Sequence, residues 1–262
     1  MAILQVGNTG YPALKINPYQ SIVANESGLV CGYDAKNISG TTVVDSSPNQ
    51  LNGTITGGTT LNAQTIVGKT VTFNGTTQSI AIPDNDKLSF ADANGVFTVI
   101  IIAKRNSSNN GGIFGKYGAA QLEYCNQIIS NVMYFFTFDN TGGGYRGRTT
   151  AANALAADSA YHLVVFKKTA GALTTNHEIW TDNAQVDSGN FTSGSYTQMR
   201  NTTSILNIGF VGTGAVQYFP GDIKYWKLLN RTPSTTELTN WYNTFNEIRT
   251  RDKTLSNLKI TP

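Results

Sequence analysis

The stretch GKTVTFNGTTQSIAIP, Gly68 to Pro83, alternates apolar and polar residues with a period of two. Val71 and Phe73 fall on one face before a turn, and Ile80 and Ile82 fall on one face after it. Successive side chains of a strand point to opposite sides, so this pattern marks strands with one buried face. Asn74-Gly75-Thr76-Thr77 between the two runs supplies turn chemistry, and the unit is expected to be a β-hairpin.

Short apolar runs of the same kind continue in both directions. GLVCGYDA (Gly28 to Ala35) precedes the stretch, as does the Asn-Gly turn signal of NQLNGTITGG (Asn49 to Gly58). VFTVIIIAKR (Val96 to Arg105), GGIFGKYG (Gly111 to Gly118), QLEYCN (Gln121 to Asn126) and VMYFFTFD (Val132 to Asp139) follow it. YHLVVFKK, HEIWTDNAQV, SILNIGFV and FPGDIKYWKLLN complete the series between Tyr161 and Asn230. About a dozen strands separated by turn residues predict an all-β fold, an antiparallel jelly-roll β-sandwich. One helix interrupts the pattern. Ser234 and Glu237 have the spacing of a capping box, in which each side chain accepts a hydrogen bond from the other residue's backbone N–H. Leu238, Trp241, Tyr242 and Phe245 then recur at helical spacing and predict a short C-terminal helix packed on the sandwich.

The 262 residues fit one sandwich of this kind. The expected organisation is an N-terminal arm over residues 1–27, a sandwich over 28–248 and a C-terminal tail over 249–262. The arm carries Pro12 and Pro18 and no clear period. It is either an extension packed on the sandwich or a docking arm ordered by a partner. Charged residues are 13% of the chain and the net charge is +3. No basic stripe is interleaved with stacking aromatics, so nucleic acid is not an expected partner. The longest apolar runs are too short to span a bilayer, and the N-terminus has no secretory pattern. Cys31 and Cys125 each lie in a strand-like run and are either buried thiols or a single disulfide.

Several segments, in order, resemble the laminin-G-like branch of the concanavalin-A-like lectin superfamily. They are Gly28-Leu29-Val30 with Asp45-Ser46-Ser47-Pro48-Asn49 and Asn52-Gly53-Thr54; Val71 to Gly75 with Ser79 to Pro83; Phe97-Thr98-Val99; Tyr161 to Val165; Leu206 to Gly209; and Pro220 to Ile223 running on to Arg231, Ser234, Glu237 and Leu238. The resemblance covers about Gly28 to Phe245 and implies a lectin-type sandwich. It also implies a Ca²⁺ at the sandwich edge in many members, but Lys224 stands where the family's closing strand carries an Asp ligand. An ammonium cannot ligate a hard cation, so Lys224 disfavours Ca²⁺ even with Asp222 nearby, and no cofactor is expected.

The superfamily includes glucanases, whose resemblance to one another rests on a Glu-x-Asp strand with a second Glu close by. None of the five glutamates here is followed two residues later by Asp. Glu123 is the strand carboxylate best placed for chemistry, and a structural role is the simpler reading for it. His162 and His177 lie in no metal-spaced cluster, and His162 falls at a packing position of the family. There is no nucleophile elbow and no phosphate loop, so the chain is expected not to be an enzyme.

For a ligand, the best local combination is Asp139, Asn140, Tyr145, Arg146 and Arg148 on the Gly-rich segment Asp139 to Arg148. It joins a carboxylate, an amide, an aromatic ring and guanidinium groups, the set that holds sugars in lectin-type sandwiches. A second candidate is Asn106 to Asn110 with Lys116 and Tyr117. The expected function is that of a virion structural protein, a capsid decoration, head-fibre or tail component of a bacteriophage. Its expected partners are other virion proteins, further copies of itself and host-surface glycans. A free bacterial lectin and a glycan-cleaving enzyme are the alternatives; the first would carry a secretion signal and the second the acidic strand motif.

Overall fold

The computed structural model describes residues 26–62, 69–91, 95–118, 121–140, 143–212 and 217–257. The expected arm lies outside the described residues except for its last two, as does the end of the tail, 258–262. The strands are β1 (Leu29–Ser39), β2 (Thr42–Asp45), β3 (Gly53–Thr56), β4 (Thr60–Asn62), β5 (Thr70–Asn74), β6 (Ser79–Ile82), β7 (Phe97–Arg105), β8 (Gly111–Gly118), β9 (Gln121–Ile129) and β10 (Val132–Phe138). They continue as β11 (Tyr145–Thr150), β12 (His162–Lys168), β13 (His177–Thr181), β14 (Ala184–Gln185), β15 (Asp187–Ser193), β16 (Leu206–Ile208), β17 (Phe210–Val211), β18 (Gln217–Tyr218) and β19 (Pro220–Leu229), and α1 (Thr235–Asn257) follows.

Nearly all pairings are antiparallel and fall into two layers. In the first, β19 is central: it pairs with β7 on one side and with β5 and β1 in succession on the other. β12 and β13 extend this layer beyond β7. The second layer runs β3, β6, β16, β8, β9, β10, β11, β15. β2 pairs with both β1 and β3 and closes one edge between the layers. The arrangement is the expected antiparallel jelly-roll sandwich.

The expected hairpin at Asn74 is not formed. β5 pairs with β4 and β19, whereas β6 pairs with β3 and β16, so the chain crosses from one layer to the other. Val71, Phe73, Ile80 and Ile82 all reach the same core, but from opposite sides. A hairpin has the same alternation, so period alone cannot separate the two arrangements. The corner is held by the side chain of Asn74, whose Oδ1 accepts the backbone N–H groups of Thr76 and Thr77 at 2.9 and 3.0 Å. Its own N–H donates to Gln78 Oε1 at 2.7 Å, and Gly75 takes the left-handed φ of 74° that the corner requires.

The inter-layer core is built largely of rings. Phe97, Phe114, Tyr124, Phe135, Phe166 and Trp226 touch one another across the two layers. β7 and β19 are buried on both faces, with Val99 and Ile101 in this core and Ile100 and Ile102 on the outer side. That outer side is covered by α1 through Leu238, Trp241 and Phe245. The capping box forms: Ser234 Oγ accepts from Glu237 N at 3.2 Å, and Glu237 Oε2 accepts from Ser234 N at 2.8 Å. The helix is not short. It runs through the expected tail boundary at Arg249 as far as Asn257, with Ile248 buried. Both cysteines are free and buried, Cys31 in the main core and Cys125 on the outer side of the second layer. Burial pushes both thiols up, away from ionisation.

Candidate functional site

The second layer also carries an apolar outer face. In VMYFFTFD, alternation sends Phe135 into the core and Tyr134, Phe136 and Phe138 outward. Register then places aromatic neighbours beside them. Phe138 lies opposite Tyr145 on β11, and Phe136 lies opposite Gly147, whose other cross-strand partner is Phe191 on β15. A Cβ at Gly147 would sit 2.2 Å from the carbonyl oxygen of Phe135 and 2.4 Å from Phe136 Cβ. Only a bare backbone fits there, and the rings of Phe136 and Phe191 close over it.

Six rings form one continuous surface. Tyr145 stacks on Phe191 at 4.6 Å, and Phe191 meets Phe136 and Tyr134 edge-on at 5.0 and 4.9 Å. Phe138 touches Tyr145 at 6.1 Å and Tyr117 at 5.5 Å. Phe136 and Phe138 are nearly buried, whereas Tyr117, Tyr134, Tyr145 and Phe191 keep part of their surface in solvent. Burial raises the Tyr117 hydroxyl above the usual tyrosine range, so it stays protonated as a donor.

The residues of the expected sugar loop are divided between two faces. Tyr145 joins the aromatic surface. Arg146 and Arg148 alternate to the opposite side of β11 and are engaged there. Arg146 donates to the carbonyls of Ser193 and Gly194 at 3.0 Å each and lies over the Tyr196 ring. Arg148 grips Asp187 through Nε at 2.9 Å and a terminal nitrogen at 2.8 Å, and reaches Asn190 at 2.7 Å. Asp139 is buried, and its Oδ1 accepts from the backbone N–H of Thr197 at 2.6 Å. Asn140 stays exposed beside Thr197. The single five-residue constellation is therefore not assembled. The physical reason is the period of two: Tyr145 and its arginine neighbours cannot share a face of one strand.

The second candidate is also rearranged. Lys116 is fully buried, with its ammonium held by Glu123 at 2.6 Å, Asp84 at 2.7 Å, Ser89 Oγ at 2.7 Å and the Thr202 carbonyl at 2.8 Å. Glu123 is bonded through Oε1 alone, while its Oε2 is buried without a hydrogen-bond partner among the described residues. Its Oε1 also accepts from Thr202 N at 2.6 Å and Thr202 Oγ1 at 3.0 Å. Burial raises its pKa while Lys116 pulls it down. Asn106 turns to Asp222, whose carboxylate is surrounded by Lys104 at 2.8 Å, Thr72 at 2.7 Å and Tyr161 at 3.0 Å.

The residues where the resemblance would put a Ca²⁺ do not fit one. Lys224 is buried and donates to Asp34 at 2.6 Å, so an ammonium occupies the carboxylate. Among the described residues no group of three or more His, Cys, Asp or Glu could hold a metal ion. His162 has each ring nitrogen against a carboxylate, Asp182 at 2.8 Å and Asp158 at 3.3 Å. These hydrogen bonds, that of Asp182 foremost, raise its pKa. His177 is buried and its pKa is lowered to about 3 by desolvation, with Lys168 adding to the effect.

Sequence reasoning missed Tyr134, Phe136, Phe138 and Phe191. Their signal was present: VMYFFTFD has rings on both faces of one strand, which a sandwich with a solvated outer side does not need. It also missed Arg200. An isolated bridge pairs Asp139 with Met199, flanked by Arg200 N to Phe138 O at 2.9 Å and Asn140 N to Gln198 O at 2.8 Å. Met199 enters the core, so alternation turns Arg200 to the outer side, beside Phe138.

No protein family and no curated protein matches the chain by sequence. Solved structures do match. The binding domain of Paraclostridial Mosquitocidal Protein 1 superposes with a TM-score of 0.60 at 12% identity, over 83% of this chain and 52% of that one. The binding domain of Botulinum Neurotoxin DC in complex with SialylT gives 0.57 at 12% identity, over 83% and 51%. Domain 4 of AbnA, a GH43 extracellular arabinanase from Geobacillus stearothermophilus, in complex with arabinotriose, gives 0.57 at 15% identity, over 83% of this chain and 100% of the domain. The chain thus spans about half the length of the toxin domains and the whole of the arabinanase domain. At these identities the likeness is one of fold, and the fold it supports is the antiparallel jelly-roll sandwich.

Proposed function

We propose that this chain is a non-enzymatic glycan-binding sandwich, and that it works as a structural component of a virion. One observation carries the glycan reading: six contiguous rings, three of them bearing hydroxyls, on the outer face of the second layer. A pyranose has a C–H face that packs on a ring by dispersion and loss of water, and a hydroxyl rim that suits tyrosine O–H groups. Fold neighbours add support, since an arabinanase domain and a toxin binding domain of the same fold have been solved with bound saccharides. The non-enzymatic reading is supported by the state of the candidate groups. Glu123 is bonded to Lys116 and Thr202, and His162 to Asp182 and Asp158. The virion setting is supported by composition: a chain with 13% charged residues and net charge +3 projects a weak field, which suits close packing among other subunits.

The test is a glycan array probed with the purified chain. Binding is expected, and Tyr145→Ala combined with Phe191→Ala should weaken it at least about tenfold, the equivalent of ~1.4 kcal/mol. Circular dichroism should show the double variant folded. An array with no retained glycan would overturn the binding reading. Sedimentation of the chain free of any particle in its native host would overturn the virion setting.

A further inference from the structure

We infer that the aromatic face takes an acidic saccharide whose carboxylate is received by Arg200. This inference rests on the glycan-binding reading and narrows it to a ligand class.

Five other arginines have described side chains, and each is committed. Arg105 donates to the carbonyls of Leu155 and Asn109, Arg146 to those of Ser193 and Gly194, and Arg148 to Asp187. Arg231 bridges Glu26 and Glu237, and Arg249 reaches Asp182 and Asn246. Arg200 is different: among the described residues its guanidinium makes no hydrogen bond and no ion pair, although the residue is half-buried. A guanidinium offers donors in a planar fork that matches a carboxylate. No Arg200 nitrogen is a buried unpartnered atom, so the fork faces solvent and is open to a ligand carboxylate.

Position supports the same occupant. Arg200 and Tyr145 flank Phe138 on its two sides, each one strand away, and neighbouring strands lie about 4.8 Å apart. A sugar ring seated on the solvent-facing part of Tyr145, at the edge of Phe138, therefore brings an exocyclic carboxylate toward the Arg200 side chain. The carboxylates on the adjoining strands do not compete. Asp139 is turned inward to Thr197, and Glu123 is held by Lys116 and Thr202. A neutral saccharide would offer the guanidinium only hydroxyl oxygens, without the charge and the paired acceptors of a carboxylate.

The test compares pairs of probes that differ only in the acid: lactose against sialyllactose, and a glucoside against the matching glucuronide. Calorimetry on the full chain should show the acidic member bound at least about tenfold more tightly, with the preference shrinking as salt is raised. Arg200→Gln should abolish the preference while weak binding of both members remains. Arg200→Lys should restore only part of it, because an ammonium lacks the fork. Arg146→Gln, on the opposite face, should leave the preference intact. Equal or weaker binding of the acidic member, or a preference that survives Arg200→Gln, would overturn the inference and leave the glycan reading standing. Failure of every probe, acidic and neutral, would overturn both.

Discussion

His162 and His177 show how one residue type takes opposite roles under different surroundings. His162 lies between Asp182 and Asp158, which favour its charged form, so its folded pKa lies above that of the unfolded chain. Its contribution to stability is fully present below the unfolded pKa, near 6.5, and fades as pH rises through the raised folded value. His177 behaves in reverse. Burial lowers it to about 3, so the fold loses stability as pH falls below about 6.5, where the unfolded chain takes up a proton that the folded chain refuses. Denaturant midpoints measured from pH 4 to 9 should therefore lose their alkaline decline in His162→Asn and keep their acid decline. A second residue-scale prediction concerns Lys116. Lys116→Met leaves Glu123 buried without its cation, and urea unfolding should show a loss of about 3–5 kcal/mol. The double change Lys116→Met with Glu123→Leu should recover much of that loss, because it removes the stranded charge as well. At this scale the sequence was partly legible: residue type and position marked Lys224 as unable to ligate a hard cation and Glu123 as more simply structural than catalytic. The partners of Lys116 were not legible, since Asp84 and Ser89 come from the β6–β7 connection and Thr202 from a loop more than a hundred residues further on.

The elements follow local rules wherever the rule is local. Ser234 and Glu237 cap α1 as their spacing requires, and Ser234→Ala should lower stability by about 1 kcal/mol in a thermal or urea melt. Trp241 packs over the Lys227 ammonium at 4.4 Å and against the outer face of β7 and β19. Trp241→Ala should cost about 3–5 kcal/mol, with the outer face of the first layer newly exposed to a hydrophobic dye. The corner at Asn74 shows the limit of such rules. The same alternation serves a hairpin and a crossing between layers, and the choice depends on β19 and β16, which lie more than a hundred residues further along the chain. Gly209 belongs to that long-range fit. It has φ of 81°, and a Cβ there would stand 2.5 Å from the Phe73 ring. Gly209→Ala should therefore destabilise the protein through both backbone strain and the clash, measurable as a lowered melting temperature.

On the scale of the whole molecule, the sandwich has apolar residues on both outer sides and treats them differently. The outer side of the first layer is closed by α1, whereas the rings of the second layer cover one another and keep four members partly in solvent. Phe136→Ala, at the centre of that surface, should reduce stability by about 3–5 kcal/mol, while Tyr145→Ala at its margin should change stability far less than binding. The contrast can be read from paired unfolding and calorimetric titrations. The amino-acid sequence by itself determined the strands, the capped helix, the all-β class and the absence of the Glu-x-Asp strand motif, because period, turn chemistry and capping act over a few residues. Only the tertiary structure decided that Val71 to Ile82 spans two layers, that Arg146 and Arg148 are engaged on the face opposite Tyr145, and that Tyr117, Tyr134, Tyr145 and Phe191 meet beside Arg200. Those outcomes depend on cross-strand register between segments far apart in the chain, and register is set by the burial of whole faces at once, which no local pattern specifies.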